Sequence, residues 1–458
     1  MVEGILTRRD LLRVAAGAAA VAAAGAACGS GSDKPNPNGA AAKGGASKGR
    51  RTLRIVQWGH FIPAYDTWFD GEYTQRWGEE HGVQVVVDHL PFAQIRNRAD
   101  AEVAAQQGHD IFGFNTPPAV FEDEVIDHRA IVQEVEAKVG KLTSLVERSV
   151  LNPKTGRYFG VPDWWTPNLV NYRVDLWDRV EPGLRPSSWD NILRAGSKLK
   201  AMGHSLGMGI APDIDAATSL PALMHAYGSS IQDADGGLTI NSPATIEAVK
   251  VGTAIFRSGM TDDVLGWDGA SDNRHLTSGN GSLILDPVSA LRAVEKQDPE
   301  LARQIYLAPL PAGPGGALGP YALMSTYVIW RFSPNKDLAE QFLVDLALDY
   351  REAFLRSEFY NLPGFSGAVP DLKDLVANDA RAQPPEKYRL LADAAQWSTN
   401  LGHPGHTSAP IDEILNQYLV PQMFAAAARG DMTPEDAVKA AEAQIKPIFE
   451  KWRERGKI

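Results

Sequence analysis

The first part of this sequence that can bury apolar side chains alternates short β-rich runs with longer amphipathic runs, which restricts the fold more than any other feature. The β-rich runs are TLRIVQW, VQVVVDHL and DIFGFN. Two runs of helical periodicity separate them, and in the first of these Trp68, Tyr73 and Trp77 recur at near-helical spacing. The order strand, helix, strand, helix, strand predicts a parallel α/β unit, so we assign the chain to the α/β class.

Parallel α/β sheets place ligands beyond the carboxyl ends of their strands. In this sequence His60 and Phe61 follow the first predicted strand, and Phe114 and Asn115 end the third. Each pair combines an aromatic ring with a polar group. We therefore predict that these four residues are candidate ligand contacts.

Further strands and helices are predicted along the rest of the chain. NLVNYR, GSLILDP and ALMSTYVIWRF have the composition of strands, and LGMGIAP is a further short candidate. A helix is expected after an N-cap at Ser187 or Ser188, and another over residues Pro243–Gly259. Two more helices are predicted to follow caps at Ser333 and Thr433.

The segment GHSLG, residues 203–207, matches the G-x-S-x-G pattern of serine hydrolases. That pattern requires a strand before the serine and a helix after it, whereas here the predicted helix precedes Ser205 and ends at Gly203. We interpret Ser205 as a turn residue. A secreted serine hydrolase stays the alternative function, because a Ser–His–acid triad is assembled in space and the sequence does not exclude one.

The length, the charge and the sequence motifs of the chain argue against several classes of function. At 458 residues the chain exceeds one hydrophobic core, so two or more domains are expected. The formal net charge is −11, with no Lys/Arg block outside the extreme N-terminus, which argues against a nucleic-acid partner. The absence of P-loop, Rossmann and zincin motifs predicts no cofactor. His403 and His406 enclose a proline and a glycine and have no evident third ligand, so no metal site is predicted.

Residues 1–28 are predicted to be an export signal that ends in a lipobox cysteine. Arg8 and Arg9 resemble a twin-arginine signal, with the Sec route left open, and the Ala/Gly/Val run that follows is shorter than the roughly 20 residues that span a bilayer. Cys28 is the single cysteine of the chain and follows small residues, as in a bacterial lipobox. We predict lipidation there, which would anchor the protein to the outer face of the cell membrane. Residues 29–51 contain no large apolar residue and predict a flexible tether.

The order and spacing of several segments resemble one known family. These segments are DIFGFN, RYFGVPDWWTPNLVNYRVDLWD, PSSWDNILRAGSKLKAMG, TSGNGSLILDP and YNLPGFSGAVPDL. Together they resemble, over about residues 52–458, the extracellular solute-binding proteins of ABC importers, in the carbohydrate-binding group typified by maltose-binding protein. The resemblance implies a two-lobed periplasmic-binding-protein-like fold with a hinge and a central ligand cleft.

The resemblance also implies domain boundaries. Lobe one would comprise residues 52–161 and 323–370, and lobe two residues 162–322 and 371–458. The chain would cross between the lobes near residues 162–167, 319–322 and 371–376.

A sugar has polar edges and apolar faces, so its site needs flat aromatic rings together with polar side chains. At a predicted crossing, Asp163, Trp164 and Trp165 offer both, and neighbouring residues of an extended segment face opposite ways, so at least one tryptophan is expected to line the cleft. By the strand-end rule the other candidates are Asp213, Asp286 and Tyr321. The resemblance adds Trp267, in a loop where members of the family often place an aromatic residue, and Trp397 and His403, in a tail region that reaches the cleft in the family.

The resemblance implies a binding protein and not an enzyme. We expect a monomer that captures a sugar, a polyol or a glycerophosphodiester between two lobes and delivers it to the permease subunits of an ABC transporter. Two readings compete with this one. The hydrolase described above requires ester turnover, and a purely structural surface lipoprotein would bind no small molecule.

Overall fold

The computed structural model describes residues 50–458. Its largest sheet has six strands, in the order Leu362–Pro363, Val161–Thr166, Leu323–Ile329, Ile111–Phe114, Arg51–Trp58, Val83–Leu90. The first strand runs parallel to the second and the third, so that Ile55 lies opposite both Val87 and Ile111. These three strands form the parallel unit predicted from the sequence. The two strands that follow on the other side, residues 323–329 and 161–166, are antiparallel to their neighbours.

A second sheet of four strands lies in the middle of the chain. Its order is Ile305–Ala308, Leu169–Arg173, Leu283–Asp286, Leu206–Gly207. Only the last pair is parallel. Two small sheets complete the strand pairing: Gly319–Pro320 with Ser398–Thr399, and Leu151–Asn152 with Arg157–Tyr158. The two larger sheets share no strand.

Helices cover both larger sheets. Within residues 50–458 the α-helices are Pro63–Trp68, Thr74–Glu80, Ile95–Ala105, Arg129–Val139, Ser144–Val150, Val174–Val180, Trp189–Ala201, Ile214–Ala226, Pro243–Gly259, Ser271–Thr277, Ser289–Gln297, Pro299–Gln304, Lys336–Leu348, Tyr350–Arg356, Leu372–Ala377, Ala409–Asn416, Leu419–Arg429 and Pro434–Glu454. Short 3-10 segments are Phe92–Gln94, Ala119–Phe121, Asp262–Gly266 and Pro385–Gln396, and a π-helical turn spans Phe69–Tyr73. No helix in this range is both long and apolar enough to cross a bilayer.

The helix starts show which capping predictions were right. Ser188 caps the helix Trp189–Ala201 by accepting a hydrogen bond from the backbone N–H of Asn191 at 3.2 Å. Thr433 caps the last helix in the same way, through Asp436 N–H. The predicted cap at Ser333 was wrong. Its hydroxyl donates to Asp110 Oδ1 at 2.7 Å and accepts from Asn335 N–H at 3.2 Å, while the helix begins at Lys336, two residues later than a Ser333 cap would place it.

The strand predicted over LGMGIAP is shorter than expected, since only Leu206–Gly207 pairs with a neighbour. A Cβ atom on Gly207 would lie 2.6 Å from the His275 ring and 3.1 Å from the Trp267 ring. The close approach of these rings therefore requires glycine at this position. The chain beyond this strand is irregular until the helix that begins at Ile214.

The predicted lobe boundaries run close to the sheet boundaries. Predicted lobe one contains four strands of the large sheet and the paired residues 362–363, while the four strands of the second sheet all lie in predicted lobe two. The strand Val161–Thr166 pairs within the large sheet, although the prediction assigns most of it to a crossing. The exact crossing residues stay a prediction.

Candidate ligand cleft

A cavity of about 400 Å³ opens between segments that follow strands of the two larger sheets. From the large sheet come the residues after the first, second and third strands. From the second sheet come the loop after Leu206–Gly207 and the loop before the helix Ser271–Thr277. The lining residues are Phe61, Phe92, Ala93, Ile95, Arg96, Phe114, Asn115, Thr116, Pro212, Asp213, Ile214, Trp267, Asp268, Gly269, Ala270, Asn416 and Tyr418.

Two phenylalanines on the large-sheet wall are held by an aromatic layer behind them. The Phe61 and Phe92 rings stack with centroids 6.1 Å apart, and both meet Trp58 edge-on at 5.1 and 5.3 Å. Trp58 itself is buried. Edge-to-face packing of this kind fixes ring orientation, so this wall presents a preformed apolar face to the cavity.

The opposite wall carries Trp267 and Asp213. Trp267 is half-buried, and its indole N–H donates to Asp263 Oδ2 at 3.0 Å. This hydrogen bond holds the edge of the ring and so orients it. Asp213 is the N-cap of the helix Ile214–Ala226. Its Oδ1 accepts from the backbone N–H groups of Asp215 and Ala216, at 2.8 and 3.1 Å. An aromatic face and a carboxylate thus stand on the same side of the cavity.

Asp213 interacts electrostatically with a group of three further carboxyl groups, those of Asp215, Asp272 and Asp286. Burial raises the pKa of Asp213 to about 6, and burial raises the pKa of Asp286 to about 7. Burial and then the neighbouring carboxylates raise the pKa of both Asp215 and Asp272 well above the usual range. Like charges in a low-dielectric site oppose each other's ionisation, so this group retains protons at a pH where exposed aspartates have lost theirs.

The cation on the cavity wall is neutralised by the protein. Arg96 Nη1 donates to Asp412 Oδ1 at 3.1 Å, and its guanidinium lies 4.6 Å from the Phe121 ring centroid. Asp412 is fully buried and also accepts from Val120 N–H. The pair joins the helix Ile95–Ala105 to the helix Ala409–Asn416, so Arg96 is fixed in place beside the cavity.

Tyr418 lines the cavity with an unusual backbone conformation. Its φ and ψ are 54° and 36°, in the left-handed region, where a side chain is rarely accommodated. Backbone strain of this kind is often found at binding sites, where the surrounding structure holds it. The conformation directs the chain abruptly into the helix Leu419–Arg429.

The structure brings five of the candidates predicted from sequence to one cavity: Phe61, Phe114, Asn115, Asp213 and Trp267. The first three come from strand ends of the large sheet, Asp213 follows the strand Leu206–Gly207 of the second sheet, and Trp267 lies in the loop before the helix Ser271–Thr277. Residues far apart in the chain therefore meet where the strand-end rule for α/β sheets places ligands.

Four candidates lie in the interior behind this cavity. Trp164 and Trp165 are 2% and 3% exposed, and the Trp165 indole N–H donates to Pro363 O at 3.1 Å. His60 accepts from Ile62 N–H through Nδ1 and donates from Nε2 to Asn361 Oδ1, and burial lowers the pKa of His60 to about 4. Burial raises the pKa of Asp163 to about 7. A direct ligand contact by any of the four stays a prediction.

The remaining candidates lie elsewhere. Asp286 is buried at the end of its strand and accepts from Ser289 Oγ at 2.9 Å. Tyr321 is buried beside the small sheet of residues 319–320 and 398–399. Trp397 is half-buried next to that sheet, and the His403 ring meets His225 edge-on at 5.1 Å. Contacts of Tyr321, Trp397 and His403 with a ligand likewise stay a prediction.

Phe92, Arg96, Asp268 and Tyr418 were missed by sequence reasoning. Phe92 follows the second parallel strand, so the strand-end rule would have found it if applied to that strand as well. Asp268 is adjacent to Trp267, which was a candidate. Arg96 and Tyr418 have no comparable signal in the sequence, because their positions depend on packing between distant helices.

The structure does not arrange Ser205 as a nucleophile. The helix Trp189–Ala201 precedes it and the strand Leu206–Gly207 follows it, the reverse of a nucleophile elbow. His275 Nε2 lies 3.3 Å from Ser205 Oγ and 3.1 Å from Ser205 O. Since a carbonyl oxygen only accepts, Nε2 carries the hydrogen in that contact and is not available as a base for the hydroxyl. Within residues 50–458, no carboxylate is hydrogen-bonded to His275.

Among residues 50–458 no group of three or more His, Cys, Asp or Glu side chains is arranged to hold a metal ion. The cavity offers aromatic rings, the side-chain amides of Asn115 and Asn416, and carboxylates as recognition groups. These are groups that bind and orient a small polar molecule.

The family model described as bacterial extracellular solute-binding protein matches residues 63–355, more than half of the chain. The chain belongs to this family. The cavity described above is therefore the candidate ligand cleft of a solute-binding protein.

Relatives and solved structures agree with this assignment. A protein of Brucella abortus (strain 2308) whose name describes it as a binding protein is 25% identical over 221 residues, which cover 47% of this chain and 53% of that protein. The chain spans about half the length of the curated relatives it matches. A maltose-bound T. maritima protein has a TM-score of 0.72 at 18% identity, over 86% of this chain and 99% of its own. A sugar transporter from Arthrobacter chlorophenolicus A6 with bound laminaribiose has a TM-score of 0.70 at 16% identity, over 87% and 99%. This solute-binding protein therefore has the two-lobed α/β fold predicted from its sequence.

Proposed function

We propose that this protein is the extracytoplasmic substrate-binding component of an ABC transporter and that it captures a sugar or related polyol in the cleft. The observation that carries the proposal is the composition of the cavity, where rings on both walls accompany Asn115 and Asp213. Aromatic faces pack on the C–H faces of a sugar, while amide and carboxylate groups bind its hydroxyls. The solved structures named above, which share the fold, contain maltose and laminaribiose.

The two walls of the cavity come from different sheets, so ligand binding can couple to movement of one lobe against the other. A ligand that contacts both Phe61 and Trp267 stabilises the arrangement in which the walls are close, because only that arrangement completes its contacts. A closed, liganded form is the state that the permease subunits would recognise.

Export and anchoring complete the proposed function. The predicted signal, Cys28 and residues 29–49 of the predicted tether lie outside the residues that the structure describes, while Arg51, the predicted last residue of the tether, begins the strand Arg51–Trp58. A lipid on Cys28 would keep the binding protein at the membrane surface close to its permease, while residues 29–51 would give it reach. We further propose that it acts as a monomer.

A panel of sugars, polyols and glycerophosphodiesters tests the proposal by thermal shift, followed by calorimetry of the compounds that raise Tm. A ligand that binds only the folded state raises Tm in a concentration-dependent way. We expect Trp267→Ala and Phe61→Ala each to weaken binding about thirtyfold, the size of a lost aromatic anchor of about 2 kcal/mol.

Tyr306→Ala is the matched control. Tyr306 is a partly exposed aromatic residue outside the cavity, so its truncation should leave affinity unchanged. If no member of the panel binds, or if Tyr306→Ala weakens binding as much as Trp267→Ala does, the proposal is wrong. Ester hydrolysis that is lost in Ser205→Ala would favour the hydrolase instead.

A further inference from the structure

The backbone is strained at two consecutive residues close to the large-sheet wall of the cleft. Glu358 and Phe359 have φ values of 54° and 72°, in the left-handed region that residues other than glycine rarely adopt. They follow the helix Tyr350–Arg356 and precede the strand Leu362–Pro363 of the large sheet. Strain of this kind persists only where the surrounding structure holds it, and it is concentrated at functional sites. The contacts of these two residues therefore indicate a role for the turn.

Phe359 fills a socket made of two aromatic rings and two arginines. Its ring stacks on Phe354 with centroids 4.9 Å apart and meets Tyr388 edge-on at 6.4 Å. The guanidinium carbons of Arg292 and Arg381 lie 5.3 and 5.1 Å from its centroid. Phe359 is only 3% exposed. Aromatic and cation–π contacts thus enclose the ring, and the enclosed ring holds the strained backbone in place.

Arg292 also holds the strained backbone directly. Its Nε donates to Glu358 O at 3.0 Å, and Lys296 pairs with the Glu358 carboxylate at 2.8 Å. Arg292 is buried, and its Nη1 and Nη2 lie 2.9 and 2.6 Å from carboxylate oxygens of Glu295 and Asp379. Charge-assisted pairs on both nitrogens fix the guanidinium, so the donor to Glu358 O has a set position.

The socket connects the turn to the second sheet. Arg292 lies in the helix that follows the second-sheet strand Leu283–Asp286. Tyr388 lies in the segment Pro385–Gln396, which packs against Ile305–Ala308 of the same sheet. The turn itself leads into the large sheet. A contact outside the cavity therefore joins the segments of one sheet to the wall that stands on the other.

The two residues after the strained pair support the large-sheet wall. The Tyr360 ring lies 5.1 Å from the His60 ring and 6.5 Å from the Phe61 ring. Asn361 Oδ1 accepts a hydrogen bond from His60 Nε2 at 2.9 Å. Phe61 lines the cavity, whereas Phe359, Tyr360 and Asn361 do not. The backbone at residues 358–359 thus sets where Tyr360 and Asn361 stand behind a ring that faces the cavity.

We propose that Phe359 is a positioning residue for ligand binding. Seated in its socket, it holds Tyr360 against the wall, and Tyr360 supports the Phe61 ring that a ligand contacts. Because Phe359 lies outside the cavity, its effect on the ligand passes through these two rings. The effect on affinity rests on the proposed sugar or polyol function, whereas the effect on the wall does not depend on it.

A measurement without ligand tests the position of the wall. Trp58 meets the Phe61 ring at 5.1 Å, and Trp164 meets the Tyr360 ring at 5.6 Å, so both indoles report on this wall. Fluorine NMR of the protein labelled with fluorotryptophan resolves them, with resonances assigned from Trp58→Phe and Trp164→Phe. We expect Phe359→Ala to shift or broaden both resonances.

Phe449→Ala is the matched control. Phe449 is a buried phenylalanine, 1% exposed, in the helix Pro434–Glu454, which packs against the helices Pro243–Gly259 and Leu419–Arg429. Its truncation also removes a buried ring, but it should leave the resonances of Trp58 and Trp164 unchanged. Phe359→Leu keeps an apolar side chain in the socket and serves as the second variant if Phe359→Ala does not fold.

Affinity for maltose, laminaribiose and sorbitol is measured by calorimetry on the same folded variants. We expect Phe359→Ala to weaken binding about tenfold and Phe449→Ala to leave it unchanged. Added to Phe61→Ala, the Phe359→Ala substitution should cause no further loss, because Phe359 acts through the Phe61 ring. Added to Trp267→Ala on the opposite wall, it should cause its full loss.

The outcomes separate the inference from the function on which it partly rests. Unchanged resonances of Trp58 and Trp164 in a folded Phe359 variant overturn the inference, as does a loss of affinity that is equal in Phe449→Ala or fully additive with Phe61→Ala. If neither Phe359 variant folds, Phe359 is a core residue and the inference is wrong. If no sugar or polyol binds the parent protein, the proposed function fails, and the fluorine spectra alone decide whether Phe359 positions the wall.

Discussion

The buried carboxyl group of Asp163 should make the stability of this protein depend on pH. Asp163 is 7% exposed, and its one hydrogen bond, from Ser325 Oγ, is long at 3.5 Å. Burial therefore dominates and raises the pKa of Asp163 from 3.8 to about 7. Between these two values the folded protein keeps a proton that the unfolded chain has lost, so the free energy of unfolding falls as pH rises.

The magnitude follows from the size of this pKa shift. A raised folded-state pKa contributes about 1.4 kcal/mol per pH unit, so roughly three units correspond to about 4 kcal/mol, lost between pH 4 and pH 7 and constant above that range. Asparagine is neutral at every pH and has nearly the same shape. We expect Asp163→Asn to match the parent protein near pH 4 and to exceed its unfolding free energy by up to about 4 kcal/mol at pH 8.

Urea unfolding followed by tryptophan fluorescence at pH values from 4 to 8 measures the effect. Asp213 and Asp286 also have raised pKa values, so the quantity to compare is the difference between variant and parent at each pH, which cancels their contribution. Asp374→Asn, a substitution of an exposed carboxylate, is the control and should give a difference near zero. A difference for Asp163→Asn that does not change with pH would refute the reasoning.

Three further predictions follow from the fold and the sequence. Trp164→Ala and Trp165→Ala should each lower the free energy of unfolding by about 3–5 kcal/mol, measured in urea, because both rings are buried. If a variant unfolds with nearly the free energy of the parent protein but has lost affinity for the ligand, the substituted ring belongs to the cleft instead. Small-angle scattering should show a smaller radius of gyration at saturating ligand, and an unchanged radius would indicate a rigid scaffold. Intact-mass analysis should find a lipidated Cys28 as the first residue of the exported protein; an unmodified Cys28 still preceded by residues 1–27 would contradict the predicted anchor.

Part of the site was predictable because it depends on local pattern and on a general rule of sheet architecture. The alternation of apolar runs predicts the three parallel strands, and those strands place Phe61, Phe114 and Asn115 at one edge. The rule that ligands bind beyond the carboxyl ends of parallel strands does not predict the direction in which an individual side chain points. Trp164 and Trp165 both lie in the interior: their strand is paired along its two edges with Leu323–Ile329 and Leu362–Pro363, and the two side chains, which point to opposite faces of the sheet, are both buried.

The sequence by itself predicted the three parallel strands, several further strands and helices, two caps and the family, because periodicity, cap residues and segment order depend on neighbouring positions. Only the tertiary structure decided which distant groups meet. Asp213 and Asp286 are separated by many residues in the chain, yet each raises the electrostatic cost of ionising Asp215. Arg96 is fixed by Asp412, and Tyr418 and Phe92 line the same cavity. These contacts depend on how helices and sheets pack in three dimensions, and packing is a property of the whole chain that no local stretch of sequence encodes.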